Sequence, residues 1–226
     1  MGATLGRLTS AMKQSYKAMR VHLIYFLLMV TYLTLAVSAV DYGLRWILGT
    51  DGGSTYSFSR LMVESLIVGF MSVVLIRAFA NLKTARMGNI KVQLLDTVDL
   101  FFGIMGAVLL KVLLTLIGLM FVVLPGLYAS IVLLFTYHAV ALEGHINLAA
   151  IKRSHKIAHS NLGTTILVAL VMAIPMVLFT LPTTMGLTWF AFPGGQVVQL
   201  WFQYLLTTFV LGTTTNLYVE FMKKTH

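Results

Sequence analysis

Cysteine is absent from the 226-residue chain, which excludes disulfide scaffolds, thiolate zinc sites, iron–sulfur clusters and thiol nucleophiles in one step. Acid is scarce too. Asp and Glu total 7 against 16 Lys and Arg, and charged residues make up only 10% of the chain, where a soluble domain carries about 25%. A Walker A sequence, a dinucleotide fingerprint and nucleophile–base–acid motifs are also missing. What is present is apolar: 58% of residues are hydrophobic and the mean hydropathy is +0.89. The chain therefore reads as an all-α integral membrane protein of one domain, with no room for a soluble catalytic domain. Its basic excess then concerns topology and anionic lipid, not nucleic acid.

Apolar runs lie at about 21–40, 61–80, 100–123, 127–141, 162–181 and 197–218, each bounded by charge, Pro/Gly or polar residues. They predict six transmembrane helices. The fourth is short for a span, but Pro125-Gly126 ahead of it predicts a tight turn, so the third and fourth runs read as a hairpin. Loop cations orient the bundle. Arg7, Lys13, Lys17, Arg20, Arg77, Lys83, Arg86, Lys91, Lys152, Arg153, Lys156, Lys223 and Lys224 fall on one side, Arg45 and Arg60 on the other. The positive-inside rule then places both termini of this multi-pass protein in the cytoplasm. Trp46, Trp189 and Trp201 fall at the outer ends of their spans, where indole rings favour the headgroup boundary. Val37-Ser38-Ala39 resembles a signal-peptide cleavage site, but the basic segment before it is too long and the apolar run too extended, so an uncleaved first helix is expected.

Residues 1–20 form a cytoplasmic amphipathic helix in this reading. Leu5, Leu8, Met12, Tyr16 and Met19 share one stripe, with Arg7, Lys13, Lys17 and Arg20 opposite. Such a helix is expected to lie on the leaflet with its lysines toward anionic headgroups. The segment 146–158 repeats the design, with Ile146, Ala150, Ile151, Ile157 and Ala158 on one side and Lys152, Arg153 and Lys156 on the other. Residues 11–17 and 150–156 share the order Ala, apolar, Lys, polar, Ser, aromatic or His, Lys. That match admits an internal duplication, or merely two basic surface helices of limited alphabet.

Pro125-Gly126-Leu127-Tyr128 before the fourth span, Glu143-Gly144 at its end and Ala150-Ile151-Lys152-Arg153-Ser154 beyond give an order that resembles a family of six-helix bacterial and archaeal membrane proteins. The family includes the YciC-like inner-membrane proteins and the membrane domain attached to some glycerophosphodiester phosphodiesterases. The resemblance covers about residues 77–170. It implies a six-helix membrane fold in which Pro125, Gly126, Tyr128, Glu143, Ala150 and Ser154 are framework positions. Where a phosphodiesterase is attached, catalysis belongs to a soluble barrel that this sequence lacks.

Ionisable groups inside spans are the first functional candidates. Lys111 has no acid at similar depth, so it either snorkels or lines a polar path with Thr208, Gly212 and Thr215 of the Thr-rich last span. Close helix packing is the duller reading of those threonines. Glu143 near Lys152 and Arg153 reads as a helix-end ion pair, with a proton relay through His138 as the alternative. His155 and His159, with His145, have a zinc-compatible spacing but no fourth ligand, so neither metal nor cofactor is expected. The expected function is a non-enzymatic inner-membrane protein that organises lipids or partner proteins. It would bind anionic lipid through Lys13, Lys17, Arg20, Lys152, Arg153 and Lys156 and could pair with a membrane protein or a second copy. A small transporter or channel, or a membrane subunit of a lipid-processing complex, is the alternative.

Overall fold

The computed structural model describes residues 2–48, 53–82, 90–121, 123–184 and 195–223, and every element among them is α-helical. Four stretches are long and apolar enough to cross a membrane: Leu23–Leu48, Phe58–Leu82, Phe101–Gly118 and Leu124–Glu143. The fifth and sixth apolar runs are helical as well. Large apolar side chains such as Ile24, Tyr32, Trp46, Phe102, Met120, Leu124 and Leu170 face outward. A surface this apolar is suited to lipid and not to water.

Helices α1 (Gly2–Val21) and α2 (Leu23–Leu48) meet at His22 with little interruption. The His22 amide donates to the Ala18 carbonyl at 3.1 Å and the Phe26 amide to the His22 carbonyl at 3.2 Å. Much later in the chain, α8 (Asn147–Ser160) and α9 (Leu162–Thr184) join in the same way at Asn161, whose carbonyl accepts from the Thr165 amide at 3.0 Å. His22 and Asn161 are separated by the same stretch of chain as Ala11 and Ala150. The matching seven-residue segments therefore sit at the same distance before the same kind of junction, and Ser15 and Ser154 are both fully buried. A duplicated unit predicts this arrangement.

Between these pairs run α3 (Gly53–Leu82), α4 (Ile90–Val98), α5 (Phe101–Phe121), α6 (Val123–Val132) and α7 (Thr136–Glu143). Helices α5 and α6 form the expected hairpin. A Cβ added to Gly118 would lie 2.8 Å from the Gly126 Cα, so two backbones meet where no side chain fits. The turn is not at Pro125-Gly126, however. Helix α6 begins two residues earlier, and Pro125 occupies its first turn, where a missing amide proton costs nothing. The fourth run is also not one helix. Its ladder breaks at 133–135, between α6 and α7. Gly144 then closes α7 at φ 69, a left-handed cap that suits glycine.

Helix α10 (Gly195–Met222) is the buried axis of the described structure, with Thr208, Leu211, Thr214, Thr215, Leu217, Tyr218 and Phe221 all enclosed. Phe79 of α3 stacks on Phe26 of α2 at 4.5 Å and also fills the notch that Gly212 leaves in α10. Phe135, at the α6–α7 break, packs against Tyr218 and Phe221.

Candidate functional site

Helix α1 carries two faces, as its periodicity requires, but the buried one is rotated from the expected stripe. Leu8, Ala11, Ser15 and Met19 are buried, whereas Leu5 and Tyr16 are 56% and 60% exposed. The reason is a protein partner. Ser15 returns its hydroxyl to the Ala11 carbonyl at 2.9 Å and accepts from Asn216 Nδ2 of α10 at 2.9 Å, while Arg7 Nε lies 3.5 Å from Glu220 Oε1. Small residues at 11 and 15 allow this approach, so the apolar face of α1 is spent largely on α10. Lys13, Lys17 and Arg20 stay exposed on the other side, with no ion pair among the described residues.

Helix α8 follows the same plan. Ala150, Ile151, Ser154, Ile157 and Ala158 are buried and Lys152, His155, Lys156 and His159 exposed, while Ile146 points outward against expectation. Arg153 does not belong with the lysines. Its side chain is only 13% exposed, and its Nε donates to Glu143 Oε2 at 2.8 Å and Oε1 at 3.0 Å. Burial acts against the charge of Arg153, yet the hydrogen bond and charge of Glu143 more than offset it and hold its pKa above the ordinary arginine value. A guanidinium tied down in this way is a strut between α7 and α8, which sets Arg153 apart from the exposed Lys152 and Lys156.

Glu143 gathers further partners. Tyr218 donates its hydroxyl to Oε1, and His145 Nε2 lies 3.3 Å from Oε2. His138 is buried one turn away with its ring stacked on Tyr218 at 5.4 Å. Tyr218 thus stands between His138 and Glu143, but stacked ring faces pass no proton, and the arrangement reads as ion pair and packing. Arg77 of α3 holds the same region together, donating from Nε to the Ala141 carbonyl at 3.2 Å and from Nη1 to the Asp96 carbonyl at 2.9 Å.

The opposite end of α2 and α3 is electrically closed. Arg45 Nε contacts Asp41 at 3.0 Å and the Tyr56 hydroxyl at 3.1 Å. Arg60 Nε reaches Asp41 at 3.2 Å and Glu64 at 3.8 Å, and Tyr204 donates to Glu64 at 3.2 Å. Both arginines are paired with carboxylates. Trp46 at this end is 82% exposed and Trp201 donates to Thr31 Oγ1 at 3.1 Å, while Trp189 lies outside the described residues, as do Lys83, Arg86 and Lys224.

The candidate polar path does not come together around free polar groups. The Lys111 ammonium sits 4.3 Å over the ring of Tyr137, a cation–π contact. Thr208 and Thr215 donate to the carbonyls of Tyr204 and Leu211 in their own helix, at 2.8 and 2.7 Å, and Gly212 is filled by Phe79. Their polarity is used up in backbone bonds and packing. His155 and His159 stack in parallel at 5.7 Å, and no cluster of three or more potential ligands occurs among the described residues.

The framework positions fare differently from one another. Pro125 and Gly126 shape the start of α6, Gly126 against Gly118; Ala150 and Ser154 are fully buried in α8; Glu143 is the hub just described. Tyr128 is exposed and lines a groove of about 400 Å³ with Leu114, Ala129, Val132, Leu133, Ile151, Lys152 and His155. Tyr218 was not singled out by the sequence, Asn216 stood out only as one more polar residue of the last span, and Arg77 only as a loop cation. Nothing local marks them, since each acts on a helix distant in the chain.

Residues 2–221 match the family described as a domain of unknown function (DUF7847), and the chain belongs to that family. No curated protein and no solved structure matches it.

Proposed function

We propose that this member of the family is a non-enzymatic protein of the inner membrane that gathers anionic lipid at its cytoplasmic face, with six spans and both termini inside. The observation that carries the reading is a charge asymmetry. Lys13, Lys17 and Arg20 on α1 and Lys152 and Lys156 on α8 are exposed without carboxylate partners among the described residues, whereas Arg45 and Arg60 at the other end are neutralised by Asp41 and Glu64. Cations near an anionic leaflet attract it by about 1 kcal/mol each. A membrane partner, a second copy, or a role within a lipid-processing complex is compatible with the same face, as is the resemblance to the YciC-like proteins.

Replacing those five cations by Gln tests the reading. Retention of phosphatidylglycerol through purification in mild detergent should fall steeply, and the remaining binding should lose its salt sensitivity. Equal retention by the variant and the parent would overturn it. The second reading, a transport path, draws on the placement of Lys111 over Tyr137. Under that reading Lys111→Met abolishes solute flux in proteoliposomes while lipid retention is unchanged.

A further inference from the structure

We propose that the groove between α5, α6 and α8 is a binding site for one anionic phospholipid, a proposal that rests on the lipid reading above and gives it a defined position. The groove is open on one side and its floor is apolar: Val132 at the end of α6, Leu133 just beyond it and Ile151 of α8 are buried, and Leu114 and Tyr128 stand as exposed walls. Its volume of about 400 Å³ is that of a small-ligand site. Lys152 and His155, one turn apart on α8, stand at its rim, exposed and without a carboxylate partner among the described residues. The neighbouring carboxylate, Glu143, is committed to Arg153, His145 and Tyr218 and leaves the charge of Lys152 uncompensated.

An apolar floor with a cation at one end selects a molecule of the same polarity: an acyl chain ending in a negative headgroup. The chain lies along Leu114, Ala129, Val132 and Leu133, and the phosphate takes the Lys152 ammonium and the His155 imidazole. A zwitterionic lipid brings its own cation to the same rim and gains less. The commitment is to a membrane phospholipid with a net negative headgroup. The His155 ring stacks on His159 at 5.7 Å.

Native mass spectrometry of the full chain, purified in mild detergent and supplied with phosphatidylglycerol or phosphatidylcholine, tests this. Lys152→Gln/His155→Gln alters exposed side chains only, and Ala129→Trp fills the floor. The parent should hold one phosphatidylglycerol through a salt wash. The double variant should lower that occupancy about tenfold, Ala129→Trp should do the same, and Lys13→Gln/Lys17→Gln/Arg20→Gln should leave it in place. If the double variant keeps the bound lipid while the α1 variant loses it, the groove is wrong and the general lipid reading stands. Equal retention of phosphatidylcholine overturns the charge selection and with it the proposal. No retained lipid in any form of the protein overturns both.

Discussion

Ser154 accepts from the amide of Phe135 at 3.1 Å and donates its own hydroxyl proton in a hydrogen bond to the Val132 carbonyl at 2.8 Å, so one hydroxyl satisfies both sides of the break between α6 and α7. A helix interrupted inside an apolar environment strands backbone groups that nothing else can reach. Ser154→Ala should therefore cost about 1–3 kcal/mol, a fall in Tm of about 2–12 °C in detergent for a chain of this size. Ser10→Ala on the exposed side of α1 serves as the control. No difference between the two variants in a thermal melt would remove Ser154 from the framework.

Glu143 and Arg153 behave as a pair and not as two surface charges. Both side chains are mostly enclosed, at 15% and 13% exposure, and removing either leaves the other desolvated and unmatched. Glu143→Gln and Arg153→Gln should each destabilise by about 1–3 kcal/mol, and the double variant should be less damaged than their sum, with a coupling of about 0.5–3 kcal/mol. Lys152→Gln and Lys156→Gln should stay within about 0.5 kcal/mol of the parent. A melt series that shows additive losses for the pair would place Arg153 back among the lipid-facing cations.

The α5–α6 hairpin rests on the contact of Gly118 with Gly126, where a new Cβ would come 2.8 Å from a backbone carbon. Backbone cannot yield as a flexible side chain can, so Gly118→Leu should cost about 1–3 kcal/mol through overpacking. Gly43, with open space around its Cα, should accept Leu with a change within about 0.5 kcal/mol. Equal stability of both variants would mean that the two helices part more easily than their contact suggests.

Helical class and most helix positions were legible from composition and apolar runs, because in lipid the backbone must satisfy itself. The α8 face was legible too, since Ala150, Ile151, Ile157 and Ala158 recur at helical spacing. What periodicity does not carry is the identity of the partner. The stripe of α1 was drawn through Leu5 and Tyr16 because hydropathy favours large apolar residues; the structure buries Ala11 and Ser15 instead, where small side chains admit α10. The break at 133–135 was hidden for a similar reason. Leu133, Leu134 and Phe135 continue an apolar run without Pro or Gly, and the residue that stabilises the interruption comes nineteen positions later, at Ser154. Arg153 looked like its neighbours Lys152 and Lys156 until the fold brought Glu143 to it.

The charge distribution also predicts which end of the bundle faces the cytoplasm. Pairing makes the contrast sharper than a count of loop cations: Arg45 and Arg60 are matched by Asp41 and Glu64, so their end carries little net charge, while Lys13, Lys17, Arg20, Lys152 and Lys156 have no such compensation among the described residues. Translocating that basic end would be far more costly than translocating the neutralised one. The natural absence of cysteine lets single reporters speak without background. Ser10→Cys on α1 and Ser160→Cys at the end of α8 should resist an impermeant maleimide in intact cells and react after permeabilisation, while Ser54→Cys at the start of α3 should react in both. If Ser10→Cys and Ser160→Cys label in intact cells and Ser54→Cys does not, the basic faces of α1 and α8 lie outside, and the cytoplasmic lipid reading falls with the topology.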